Sequence, residues 1–211
     1  KRRDTTKMVS EKKEQRKEQY RVEILQIAEK VFAQNGFHMT TMVAVAEECG
    51  WSKGTLYLYF KNKEDLFFSI LIEKTDQFSA ALLSELRTAQ GIEGKIAAFI
   101  DALFRFFTEN KHFFQLIITE QGKVMQGSDS GMREKLINQQ HDYIEKISQA
   151  LSQGMPANNP FSANILAGSI IGAVNLHLIN WLMASEGFDL DEVKHQIKTL
   201  FINGIRTHEN N

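Results

Sequence analysis

Residues 42–60 read MVAVAEECGWSKGTLYLYF, and the fold turns on how this stretch is read. Met42, Val45, Ala46 and Cys49 recur at spacings of three and four, which puts them on the inner face of a short helix. Gly50 ends that helix where the chain has to turn sharply. Ser52 caps the next helix, and its Leu56 and Phe60, four apart, face the same core. Two short helices joined by so tight a turn need a small residue where they cross, and Ala46 supplies it. Trp51 fills the space behind the turn. The outward side of the second helix is left to Lys53, Gly54, Thr55 and Leu58.

Such a pair of helices suits duplex DNA. The major groove admits one helix, and base edges meet that helix's first residues. Ser52 and the backbone amides near Lys53 and Gly54 can hold a phosphate. Tyr57 and Tyr59 carry hydroxyls toward backbone oxygens, and Lys61 and Lys63 add charge beyond the helix. A plainer reading also stands, that of an ordinary helical hairpin with solvated lysines.

Upstream, Ile24, Leu25, Ala28, Val31 and Phe32 mark an amphipathic helix that starts near Tyr20 and stops at Asn35-Gly36. Residues 1–19 are polar and basic, and read as a flexible arm, a tag or a frayed extension of that helix; Met8 offers a natural start. Thr40 or Thr41 caps the second helix. Downstream, Asn62 caps a fourth helix over about Lys63–Arg87, with Glu64 and Asp65 in its first turn. Helical patterns follow over about 92–109, 111–119, 131–152, 161–184 and 190–206, with a loop at 120–130. The fold class is therefore all-α with about nine helices: a three-helix head over 20–65, and a larger helical domain over 66–211.

Composition agrees. Hydrophobic residues make up 43% of the 211, with fifteen Phe, seven Met and only two Pro, as expected of helices packed through large side chains. One cysteine excludes a disulfide framework and fits a reducing cytoplasm. The net charge of -1 hides an asymmetry. Residues 1–65 hold thirteen Lys or Arg against ten Asp or Glu, and the remainder twelve against sixteen, so a polyanion is drawn to the N-terminal end. The most apolar stretch, Ile165–Met183, is interrupted by Asn175, His177 and Asn180, so no membrane span is expected.

Gly36-Phe37, Thr40-Thr41, Ala46, Gly50 and the run Ser52-Lys53-Gly54-Thr55-Leu56-Tyr57-Leu58-Tyr59-Phe60-Lys61-Asn62-Lys63-Glu64-Asp65-Leu66-Phe67 together resemble the TetR family of bacterial regulators. The resemblance covers about residues 20–67. It implies phosphate contacts from Thr40 or Thr41, Ser52, Tyr57, Tyr59 and Lys63, and a base-reading face of Lys53, Gly54, Thr55 and Leu58. Trp51, Val43, Ala44 and Leu58 depart from the family's usual residue types. Leu58 in particular offers a thymine methyl an apolar contact rather than a hydrogen bond.

One short reading helix covers few base pairs, so a two-fold dimer on a palindromic double-stranded operator is expected, its reading helices roughly 34 Å apart. The last two helices suit the contact between subunits. Gly168 and Gly172 allow close approach, and Leu178 and Trp181 add apolar area. Val193, Ile197, Leu200 and Phe201 form a helical face on the final helix. A four-helix bundle from two subunits is also what the resemblance implies.

The middle of the chain is rich in aromatics. Phe99, Phe104, Phe106, Phe107, Phe113 and Phe114 do not fit one narrow stripe, so a pocket for a small hydrophobic inducer is expected among some of them. Phe78, Met125, Tyr143 and Met183 are further candidate walls, although for any single residue plain core packing is the better explanation. The resemblance implies a repressor that such a ligand releases from DNA, with the long fourth helix as the lever. No cofactor or metal is expected: the six histidines are scattered and form no HExxH. No phosphate-binding glycine loop after a strand points to an enzyme. The alternative in another class is a helical interaction or scaffold module without an operator.

Overall fold

The computed structural model describes residues 2–115, 118, 130–156, 161–184 and 187–206. All regular structure among them is helical, with no strand. In chain order the helices are α1 (Arg2–Met39), α2 (Met42–Glu48), α3 (Lys53–Leu56), α4 (Lys63–Thr88), α5 (Gly91–Glu109), α6 (residues 111–115), α7 (Ser130–Ser152), α8 (Ala163–Met183) and α9 (Leu190–Arg206). The expected loop at 120–130 lies outside the described residues except at Ser130, which opens α7.

The chain divides into two compact units, one holding residues up to Leu71 and the other Ile72–Thr119 with Asp129–Asn211. The division falls inside α4, six residues beyond the boundary expected from the sequence, because the head's apolar run continues through Leu66, Phe67, Phe68 and Ile70, all buried.

In the first unit, α1 does not begin near Tyr20. It is helical from Arg2, so of the readings open for residues 1–19 the extension of the helix is the one seen, with residues 11–19 fully on the surface. Gly36 interrupts α1 with φ +77°, and a last short turn leads to Thr40. Ile24, Leu25, Ala28, Val31 and Phe32 are buried, as their spacing requires. Phe32, Phe37 and Phe67 form an aromatic core, with ring centroids 5.2–5.8 Å apart.

In the second unit, α7 packs on α8 and α5 on α9, and α5 and α8 also meet. Their core includes Leu82, Ile96, Phe99, Ile100, Ile147, Ile170 and Val174. Buried Lys95 is satisfied by donating its ammonium to the Leu86 carbonyl near the end of α4. Arg206 on α9 donates to Glu93 on α5, with Nε at 2.6 Å, and Lys198 on α9 reaches Asp101 on α5 at 2.6 Å.

Candidate nucleic-acid interface

Thr41 starts the reading module. Its hydroxyl accepts from the Ala44 amide at 3.1 Å and caps α2. Thr40, its equal in the sequence, is only 1% exposed and donates to the Gly36 carbonyl at 2.8 Å. The expected phosphate contact from Thr40 is therefore corrected: its hydroxyl is spent inside the head.

The turn after α2 closes with two bonds, from the Trp51 amide to Ala46 O at 2.8 Å and from the Gly50 amide to Glu47 O at 2.9 Å. This double closure needs a left-handed residue between the helices, and Gly50 provides it at φ +69°. Ala46 is buried at the crossing of α2 and α3. Trp51 is half-buried, edge-on to Tyr20 at 5.2 Å and tilted against Tyr59 at 5.8 Å, so it does fill the space behind the turn. The Cys49 thiol is held above its ordinary pKa, first by burial and then by Glu23 and Glu48, and so stays protonated and unreactive at neutral pH.

Ser52 caps α3 by accepting from the Thr55 amide at 3.1 Å and shares a 2.8 Å hydrogen bond with the Thr55 hydroxyl. Helical bonding continues past Leu56 to Phe60 in tighter turns. Leu56 and Phe60 are buried, while Lys53, Gly54, Tyr57 and Leu58 are exposed, Leu58 at 78%. Thr55 is half-buried and tied to Ser52, so the open face is Lys53, Gly54, Tyr57 and Leu58, with Thr55 at its edge. The Lys53 ammonium lies 5.7 Å from the Tyr57 ring centroid, which holds both on that face. Tyr59, expected at a phosphate, is half-buried and tilts its ring against Trp51.

Asn62 caps α4, accepting from the Asp65 amide at 2.7 Å, while Asp65 returns the contact to the Lys61 amide at 2.8 Å. Lys63 is committed elsewhere than expected. Its ammonium donates to Phe37 O at 2.8 Å and His38 O at 3.2 Å, and lies 4.4 Å from the Phe37 ring centroid. These contacts clamp the end of α1.

Comparison with known proteins agrees with this geometry. The family model for bacterial regulatory proteins of the tetR family matches residues 24–70, and the model for the YsiA-like protein C-terminal region matches residues 71–204. The chain belongs to the TetR family. Among its relatives is the fatty acid metabolism regulator protein of Bacillus subtilis strain 168, 26% identical over 187 residues, which span 87% of this chain and 94% of the relative. The solved structure of FadR from Bacillus subtilis in complex with stearoyl-CoA superposes with a TM-score of 0.71 at 25% identity, covering 87% of this chain and 98% of FadR. FadR from Bacillus halodurans matches in fold with a TM-score of 0.68 at 22% identity, over 86% of this chain and 94% of that one. As a TetR-family protein, the chain is a DNA-binding transcriptional regulator.

The body of this TetR-family protein places the remaining expected residues with corrections. Phe78, Phe99, Phe104 and Phe114 are buried, and Phe107 and Tyr143 are half-buried. Phe107 stacks on Phe114 at 4.1 Å, and Phe78 stacks on Phe106 at 4.3 Å and tilts against Tyr143 at 5.9 Å. The Tyr143 hydroxyl and Asn175 Oδ1 are buried without a hydrogen-bond partner among the described residues. Burial drives the Tyr143 hydroxyl far above its ordinary pKa, so it remains a neutral donor. Met183 is 62% exposed and is no pocket wall, and Met125 lies outside the described residues.

On the interface side, Leu178 and Ile197 belong to the protomer's own core, and Trp181, Val193 and Phe201 pack against that core. The assignment of Leu178 and Ile197 to a subunit contact is corrected, since a side chain enclosed at home has no area left to offer a partner, whereas Trp181, Val193 and Phe201 are half-buried and keep part of their surface. Gly168 and Gly172 are exposed, and a Cβ added to either would meet nothing. Beside them on α8 stand exposed Ile165, Leu176, Ile179 and Met183, and on α9 Leu200 at 69%. Leu200 is one of the side chains expected on that face, whereas Ile165, Leu176, Ile179 and Met183 are not. The exposed spacing along α8 is three or four, but the helix is apolar on every side, which hides the register from sequence reading.

Proposed function

We propose that this regulator is a homodimeric repressor that sits on a palindromic operator in the bacterial cytoplasm and leaves it when a long-chain acyl thioester of the acyl-CoA class occupies its body. What supports the reading most is its likeness over 87% of its length to a regulator whose solved structure holds stearoyl-CoA. Two features of the second unit fit such a ligand. An aromatic cluster from Phe78, Phe106, Phe107 and Phe114 suits an acyl chain, and the unpartnered Tyr143 hydroxyl suits a carbonyl oxygen.

The head's contribution is the open face of α3. Lys53, Gly54, Tyr57 and Leu58 meet base edges in this reading, while Thr41 and Ser52 meet phosphates from cap positions. Dimerisation goes through the outer faces of α8 and α9, where Gly168 and Gly172 admit close approach and Ile165, Leu176, Ile179 and Leu200 supply apolar area. The switch is a difference in affinity: the acyl ligand must bind the DNA-incompetent arrangement more tightly. A coupling of about 1–3 kcal/mol gives roughly a 5- to 150-fold loss of operator affinity.

The test is fluorescence anisotropy on a labelled operator selected from random duplex, titrated with stearoyl-CoA, acetyl-CoA and free CoA. Release by stearoyl-CoA alone is expected. Selective DNA binding that no long-chain acyl thioester weakens would refute the ligand. Binding that never exceeds that to random duplex would leave the scaffold reading.

A further inference from the structure

The helical extension ahead of Tyr20 lies outside the matched family segment, which begins at residue 24. Its sequence from residue 11 is EKKEQRKEQ, without an apolar side chain. At roughly 100° per residue, Lys12, Lys13, Arg16 and Lys17 fall within an arc of about 140°, and Glu11, Glu14 and Glu18 cluster on the opposite side. Residues 11–19 are all exposed. An uncommitted solvent helix would mix its charges, whereas this one has a basic face and an acidic face.

The basic face has a definite direction. Tyr20 falls near the middle of the same arc, and its ring meets Trp51 edge-on at 5.2 Å. Arg16 Nε donates to the Tyr20 hydroxyl at 3.1 Å, with the guanidinium 5.6 Å from the ring centroid, so Arg16 stands on that side too. Trp51 immediately precedes Ser52, the cap of α3. The basic face therefore looks along the side of the head from which the reading helix starts. Lys12 is eight residues from Tyr20, which places it about 12 Å farther along the axis.

We infer that Lys12, Lys13, Arg16 and Lys17 form a second DNA-binding surface that grips the phosphate backbone flanking the groove entered by α3. The inference rests on the proposed reading that α3 engages an operator. A duplex suits the face because its charge is regularly spaced along a rod, while the acidic side turns to solvent. A membrane surface suits it less, since nothing apolar between residues 11 and 19 can enter the acyl region.

The experiment compares the full chain with a Lys12→Gln/Lys13→Gln/Arg16→Gln/Lys17→Gln variant and a charge-keeping Lys12→Arg/Lys13→Arg/Lys17→Arg variant. Operator affinity is measured from low to high salt. The neutralised variant is expected to lose about 0.9 from the slope of log K against log salt for each phosphate contact removed, and at least about tenfold in affinity at moderate salt. Its preferred sequence stays the same, and the arginine variant keeps the wild-type slope. Selective binding by the full chain with an unchanged slope in the neutralised variant overturns this inference alone. An arginine variant that loses as much as the glutamine variant also overturns it, because helix integrity rather than charge is then responsible. Absence of selective binding by the full chain sinks both this and the operator reading. Co-sedimentation with phosphatidylglycerol vesicles alongside an unchanged DNA slope assigns the face to lipid instead.

Discussion

Gly50 and Tyr143 show opposite kinds of cost at single residues. At Gly50 a Cβ would meet no neighbour, yet φ is +69°, so the penalty of a side chain is purely conformational. Gly50→Ala should lower the unfolding free energy by about 1–2 kcal/mol, read as a lower urea midpoint by circular dichroism; an unchanged midpoint would mean that the turn relaxes. At Tyr143 the cost is already present, because a buried hydroxyl without a partner forfeits its hydration. Tyr143→Phe should leave the unliganded protein as stable or up to about 1 kcal/mol more stable, while weakening release by stearoyl-CoA. A drop in unliganded stability would show that the hydroxyl is satisfied in the free protein. The sequence makes the Gly50 turn legible because glycine itself carries the signal. It could not separate Thr40 from Thr41, since both can cap and only the backbone path sends one hydroxyl inward and the other to α2. Lys63 shows a related limit: a lysine's charge is legible, but the carbonyls of Phe37 and His38 to which it donates are brought there by the fold.

Among the elements, boundaries followed local chemistry and registers did not. The limits of α4, α5, α7 and α9 lie within a residue or two of the pattern of caps and glycines, because capping is local. Helix α8 reads as apolar whichever way it is rotated, so the choice of Leu178 as an outward residue and the omission of Leu176 came from a pattern that carries no phase. The α5–α9 pairing holds an ion pair that makes a pH prediction. Bonding to Arg206 holds the Glu93 carboxyl below the usual carboxylate range. A depressed carboxyl stabilises the fold above its unfolded pKa of about 4.3 and loses that contribution as pH falls through the lower folded value. Arg206→Gln should flatten the part of the stability profile that falls on acidification below about pH 4.5, with little change in its shape near neutrality, where the group stays ionised. An acid limb identical to wild type, measured by denaturant midpoints across pH, would contradict the pairing.

For the whole molecule, the proposed dimer depends on what a single chain leaves uncovered. Ile165, Leu176, Ile179, Met183 and Leu200 are exposed on α8 and α9, a cluster that an isolated soluble protomer would rarely present. Leu176→Glu together with Leu200→Glu should yield a folded monomer by sedimentation velocity and reduce operator affinity by at least about tenfold, since half of the two-fold contact is lost. A dimer that survives both changes would move the interface elsewhere. All-α architecture was legible from helical periodicity and turn residues, whereas which apolar side chains stay exposed and which buried polar atoms find partners is decided only once helices pack. Sequence-selective reading by the open face of α3 is the central claim, and selection of bound duplexes from a random pool by the full chain and by Leu58→Ala tests it most directly. The account predicts a palindromic motif for the full chain and, for a variant of equal stability, loss of preference at particular base pairs in each half-site, thymines foremost. Identical motifs from the two proteins, or no motif from either, would contradict it.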